Sequence, residues 1–271
     1  MLKQRILTAL VLAPLVIWGI FALPTLWFGG LLGVFVTIGA WEWARLAGYA
    51  EVAVRVGFAI LIGLMLVAMG ITSELLLWQV MLAIAVIWWL YAIWIVVHYD
   101  GLLNPLRSPS RLAVGLILLM PAWFALVHLH GSAQGAASVL FLMLLIWGAD
   151  SGAYFVGRAF GKHKLAPKVS PGKSWEGVIG ALTLTLVISI VGGIELWHLQ
   201  GKQFVLFIVV CLVTVAISIV GDLYESLAKR RVGIKDSGQI LPGHGGVMDR
   251  IDSLTSAAPT FALGLAWVVG L

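Results

Sequence analysis

The chain has 271 residues, of which 61% are hydrophobic and only 11% charged, with a formal net charge of +5 and a mean hydropathy of +1.05. A water-soluble core cannot absorb that much apolar surface, so composition excludes an ordinary globular protein and indicates an all-α polytopic integral membrane protein. The positive charge is dispersed over short loops with no recognition motif, which argues against nucleic acid and for anionic lipid headgroups and phosphorylated substrates.

A helix crossing the hydrocarbon needs on the order of 20 residues, somewhat fewer with help from neighbours. The apolar runs predict about nine spans: Ile6–Phe21, Leu26–Ala40, Val56–Ile71, Leu75–Val97, Leu112–Leu129, Gly135–Ala149, Val178–Leu199, Phe204–Val220 and Leu254–Leu271. Leu23-Pro24 is not a small-residue cleavage site, so the first run reads as an uncleaved span. With the N-terminus cytoplasmic, Lys3, Arg5, Arg45, Arg55, Arg107, Arg111, Arg158, Lys162, Lys164, Lys168, Lys173, Lys229, Arg230, Arg231, Lys235 and Arg250 all fall inside. That is sixteen of the seventeen basic residues, Lys202 excepted. The asymmetry supports an odd span count and a C-terminus on the opposite side. With no organelle address in the sequence, the expected location is a bacterial inner membrane, with the polar loops on its cytoplasmic side.

No linker or repeat divides the chain, so it reads as one membrane domain. Residues 1–134 form mainly scaffold spans, and 135–271 form a catalytic half with cytoplasmic loops 150–177 and 221–253. In the first half Trp41, Glu42, Trp43 and Arg45 suggest an interfacial helix held by a Glu42–Arg45 pair. Trp18, Trp27, Trp41, Trp43, Trp78, Trp123, Trp147 and Trp197 lie near predicted span ends, as interfacial belts require. Cys211 has no partner and reads as packing.

The second half carries the polar chemistry. Asp150 closes the sixth predicted span, the stretch from there to Gly177 has a net charge of +3, and glycines stand at 148, 152, 157 and 161. Close backbone approach beside clustered cations suits a polyphosphate with its metal. Gly172-Lys173-Ser174 copies the end of a Walker A loop, but Pro167 stands where its first glycine belongs, so this is not a P-loop. Ser170 or Ser174 would cap the next helix, whose free N–H groups attract anions beside Lys173.

Gly221–Ser253 holds ten of the chain's twenty-nine formal charges in 33 residues. If the eighth helix continues past Gly221, Asp222, Glu225, Ser226, Lys229 and Arg230 share one face. That face reads as a salt-bridge ladder or as a site for Mg²⁺ and phosphate, with cations neutralising what the metal does not. Residues 235–246 are too glycine-rich for a regular helix and predict a loop whose N–H groups approach a ligand. Asp249 and Asp252 then open the last span, where the helix dipole alone would favour them. Asp222 and Asp249 together would make a metal site at the cytoplasmic ends of two helices.

The run from Ser226 through Lys229-Arg230, Lys235-Asp236-Ser237-Gly238 and Pro242-Gly243-His244-Gly245-Gly246-Val247-Met248-Asp249-Arg250-Ile251-Asp252 resembles the signature of the phosphatidate cytidylyltransferase (CDP-diacylglycerol synthase) family. Asp150–Tyr154, Gly157-Arg158 and Ser170–Gly177 are similar to that family too, whereas the first spans match only in hydropathy. The resemblance implies CTP and phosphatidate as substrates, CDP-diacylglycerol and pyrophosphate as products, and a divalent cation. On that basis Asp222 and Asp249 would ligate Mg²⁺, with Asp150 a third ligand or acting through water, and a second cation fits the same carboxylates. Lys173, Lys229 and Arg230 would hold phosphates with Ser174, Gly245 and Gly246, and His244 would orient a phosphate or cytidine. Glu225, Asp236 and Asp252 are second choices. A CTP-dependent lipid-alcohol kinase of the dolichol-kinase type shares these needs. A cation-coupled transporter fits poorly, because its ionisable groups belong near mid-membrane. A homodimer is left open.

Overall fold

The computed structural model describes residues 13–71, 75–104, 106–240, 243 and 245–269. Every predicted span has a helical counterpart: α1 (Ala13–Ala22), α2 (Thr25–Leu46), α3 (Val52–Ile71), α4 (Leu75–Val97), α5 (Pro109–Gly131), α6 (Gly135–Phe160), α7 (Trp175–Glu195), α8 (Gly201–Arg231) and α9 (Met248–Val269). Seven of these, α2 to α8, are long and apolar enough to cross a membrane, so the chain is an all-α multi-pass membrane protein. The start of the first predicted span and the end of the last lie outside the described residues.

Two helices run well past the spans expected of them. Helix α6 continues to Phe160 and α8 to Arg231. At 1.5 Å per residue the 31 residues of α8 reach about 46 Å, against roughly 30 Å of hydrocarbon, so its charged last turns extend into the polar region. Asp150 therefore sits within a helix instead of closing one. Between α6 and α7 the chain forms a short antiparallel hairpin, β1 (Lys164–Ala166) and β2 (Ser170–Ser174), which hydropathy did not predict.

Burial gathers in two clusters. One joins Phe141, Leu142, Leu145, Phe207, Cys211 and Phe261 from α6, α8 and α9, where the Phe141, Phe207 and Trp197 rings lie 4.8–5.6 Å apart. The other joins Trp43, Trp89, Leu118, Tyr224, Leu227 and Met248 around α2 and α8. Lipid tails are as apolar as leucine, so close packing supplies the association energy. Glycine allows it at two crossings: Gly152 meets the Gly180 carbonyl between α6 and α7, and Gly221 meets Ser256 and Asp252 between α8 and α9. Gly148 packs on Ile188, and Gly157 on Ser174 and Gly177. The glycines expected to approach a ligand thus act first in helix packing.

The tryptophan belt holds only in part. Trp18, Trp27 and Trp147 are exposed, whereas Trp43, Trp123 and Trp197 are buried. Trp43 donates to the Arg111 carbonyl at 2.9 Å and Trp123 to that of Gly29 at 2.8 Å. A buried indole N–H needs such a partner, and these two tie α2 to α5.

Candidate active site

The end of α6, the hairpin, the start of α7 and the middle of α8 enclose a cleft of about 350 Å³. Its floor is apolar, with Ala149, Ala153, Val178, Ala181 and Ile219. Its mouth is polar, with Asp150, Arg158, Lys173, Ser174 and Asp222. The hairpin brings Lys173 over the cleft, where its ammonium lies 2.8 Å from Asp222 Oδ2. Both side chains keep about a quarter to a third of their exposure, so the pair is reachable by a charged ligand. Asp222 Oδ1 accepts from Ser226 at 3.3 Å.

Ser174 caps α7, its Oγ accepting the Gly177 N–H at 3.2 Å. This fixes the helix start so that its dipole favours an anion at the cleft. The hairpin is held from the other side by Glu176, whose carboxylate meets His163 Nδ1 at 2.6 Å.

One helical face of α8 carries the expected row, and its continuation is bound to α9. Lys229 Nζ lies 2.5 Å from Glu225 Oε2 and 2.7 Å from Asp249 Oδ1. The other Asp249 oxygen accepts from Ser237 N at 3.0 Å, Ser237 Oγ at 2.9 Å and Gly246 N at 2.8 Å. Asp249 therefore ties Ser237 and Gly246, on either part of the segment between α8 and α9, to the start of α9. The Gly246 N–H, expected to face a ligand, is turned onto Asp249, and Gly245 adopts φ +84° against the same carboxylate. His244 lies outside the described residues.

The remaining expected residues separate. Arg230 does not face the carboxylates: its Nε donates to the Val169 carbonyl at 3.3 Å, bracing the hairpin turn. Asp249 and Lys229 do not line the cleft that holds Asp150, Lys173 and Asp222. Glu225 is 1% exposed and engaged with Lys229. Asp236 packs by Gly245, and Asp252 accepts the Ser253 N–H at 2.7 Å.

Sequence reasoning missed Glu42. It does not pair with Arg45, which is exposed; it is fully buried and turned toward the loop. Its Oε2 accepts the Met248 N–H at 2.7 Å and Ser237 Oγ at 3.2 Å. The only local signal was a carboxylate amid apolar residues in a helix, a costly placement unless partnered.

Oxygen donors at a mouth that also carries cations suit a phosphate-bound hard cation. Among the described residues no three His, Cys, Asp or Glu side chains converge closely enough to hold a metal alone. Mg²⁺ commonly takes one or two carboxylates and completes its shell with water and substrate phosphates, so Asp222 with Asp150 beside Lys173 fits that habit.

The sequence model of the cytidylyltransferase family matches residues 3–268. The chain is 47% identical to a phosphatidate cytidylyltransferase of Pseudomonas aeruginosa over all of this chain and 98% of that protein. It is 40% identical to one of Haemophilus influenzae over 97% of this chain and 98% of that protein. With one of Bacillus subtilis it shares 41% identity over 46% of each chain.

Proposed function

The chain belongs to the cytidylyltransferase family, and from that premise we infer that it transfers CMP from CTP to phosphatidate, forming CDP-diacylglycerol and pyrophosphate. An ionised lipid phosphate is already a nucleophile, so positioning and charge neutralisation are what the protein must add. A phosphatidate oxygen attacks the α-phosphorus of CTP in line. The new P–O bond forms as the bond to the bridging oxygen of the β-phosphate breaks, and pyrophosphate leaves with that electron pair. Lys173 and the N-terminus of α7 bind phosphate at the cleft mouth, and the apolar floor excludes water from the reacting centre. Lys229 keeps Asp249 charged and oriented, and Arg230 holds the hairpin that carries Lys173. His244 is assigned to orientation of a phosphate or the cytidine.

Asp222 and Asp249 are the proposed carboxylates for Mg²⁺, Asp249 joining from outside the cleft by turning from its Lys229 contact, with Asp150 as a third ligand or linked through water and a second cation sharing the set. When bound, the cation supplies neutralisation of the phosphate charge that builds up during displacement.

The single observation that carries this reading is the Lys173–Asp222 contact across a cleft at a helix start, in a chain matched over nearly its whole length by one enzyme family. CTP labelled at the α position should pass label to lipid in the purified protein. Transfer of γ label alone would indicate a lipid-alcohol kinase instead.

Nine spans with a cytoplasmic N-terminus, placed in a bacterial inner membrane, complete the proposal. Sixteen of seventeen basic residues on one side support that orientation, and the relatives named above are bacterial. The cleft then opens to the cytoplasm, where CTP is made.

A further inference from the structure

Helix α2 belongs to the half of the chain that composition marks as scaffold, yet its Glu42 ends within the loop that shapes the site. The loop is built around that carboxylate: a Cβ on Gly238 or Gly246 would overlap its oxygens. Oε2 accepts two hydrogen bonds, from Met248 N at 2.7 Å and Ser237 Oγ at 3.2 Å. Oε1 is buried and makes no hydrogen bond of normal geometry among the described residues, with only the Val247 N–H as a further donor near the carboxylate. Leaving a buried acceptor without a donor is costly, and a neutral side chain of like size would fill the same space more cheaply. Packing alone therefore does not account for a carboxylate here.

Ser237 supplies the link. It is fully buried, and its Oγ lies 3.2 Å from Glu42 Oε2 and 2.9 Å from Asp249 Oδ2. A hydroxyl has one proton to donate, so it serves one carboxylate at a time. When it turns to Glu42, Asp249 Oδ2 keeps only the two backbone donors, Ser237 N and Gly246 N.

We infer that Glu42 is a positioning residue, which acts through Ser237 to set the orientation and charge density of Asp249 without touching substrate. A carboxylate from the second helix thereby governs one from the ninth. The claim about turnover rests on the reaction proposed above; the claim about the loop does not.

The test uses the purified full chain with Glu42→Gln, Glu42→Ala, Ser237→Ala and the double variant Glu42→Ala with Ser237→Ala. Glu42→Gln keeps the size and an acceptor for Met248 N but loses the charge. Its Tm should be no lower than wild type and its KM for CTP and lipid unchanged, while kcat falls about tenfold and half-activation needs more Mg²⁺, in the range typical of groups that orient metal ligands. The double variant should be no slower than Ser237→Ala alone, because without the hydroxyl Glu42 has no route to Asp249. Independently of catalysis, Glu42→Ala should expose the loop to faster tryptic cleavage after Lys235.

A wild-type kcat and Mg²⁺ requirement in Glu42→Gln would overturn the inference, as would a kcat loss that only tracks a fall in Tm. Unchanged cleavage at Lys235 in Glu42→Ala would overturn the loop contact. If the wild-type chain made no CDP-diacylglycerol, the proposed reaction would fail while the cleavage result still decided the Glu42 contact.

Discussion

The Lys229 ammonium sits between two carboxylates of different helices, 2.5 Å from Glu225 on its own helix and 2.7 Å from Asp249 at the start of the next. This arrangement ties α8 to α9 at the end where the charged loop leaves the bundle. Removing one member of a buried pair strands the other charge, at a cost of about 3–5 kcal/mol. Lys229→Met should therefore lower Tm sharply in a detergent melt, and Glu225→Gln should recover part of the loss in the double variant. An unchanged melt for Lys229→Met would show that the contacts contribute little.

Lys173 is held differently, on an exposed hairpin and against a partly exposed partner. Surface ion pairs contribute at most about 1 kcal/mol to stability, so Lys173→Ala should fold normally. Its effect belongs to turnover: losing a cation aimed at a phosphate should cost on the order of 10²–10³ in kcat. Steady-state CMP transfer with a parallel melt separates the two effects.

Gly152 and Gly180 let α6 and α7 approach at backbone contact. Gly152→Val would place side-chain atoms on the Gly180 carbonyl and push apart the helices that form the cleft walls. Overpacking of this kind costs about 1–3 kcal/mol or more. A lower Tm with a loss of both CTP affinity and turnover is expected. Gly172→Ala, at a position with open space around it, should leave the melt unchanged.

Much of this was legible in the sequence. Among the described residues hydropathy located every helix, because a span must be apolar along its length, and the spacing of Asp222, Glu225, Ser226 and Lys229 marked one face of α8 correctly. Two ambiguities misled. Glycines at 148, 152 and 157 of α6 have the same pattern whether they admit a ligand or a neighbouring helix; they pack on α7 and the hairpin, while Gly157 also lines the cleft. Span ends were set where hydropathy falls; α8 runs on past Gly221 as its charged face required, but the continuation of α6 to Phe160 carried no such periodic signal. Glu42 could not be assigned, since its partners lie 195 and 206 residues away and no local period links them. Arg230 shared a helical face with Lys229 but turned to the hairpin, a choice made only by tertiary contact.

Replacing Asp249 by Asn keeps its shape but turns one acceptor oxygen into an NH₂ donor that must face Lys229 or the Ser237 and Gly246 donors. Tm should therefore fall, although the chain should still fold because Glu225 continues to pair with Lys229. Turnover should nevertheless be abolished, because the charge that pairs with Lys229 and the proposed cation is gone. Near-normal rates would remove Asp249 from the cation site and leave it as a loop anchor.

The central claim is that carboxylates of α8 and α9 hold a divalent cation together with the nucleotide phosphates. Mn²⁺ binding, read by electron paramagnetic resonance in the presence of CTP, tests it most directly in the wild type, Asp222→Asn and Asp249→Asn. The account predicts protein-bound Mn²⁺ in the wild type and a loss of affinity of about tenfold or more in each variant, in step with lost CMP transfer. Wild-type Mn²⁺ affinity in both folded variants would contradict it.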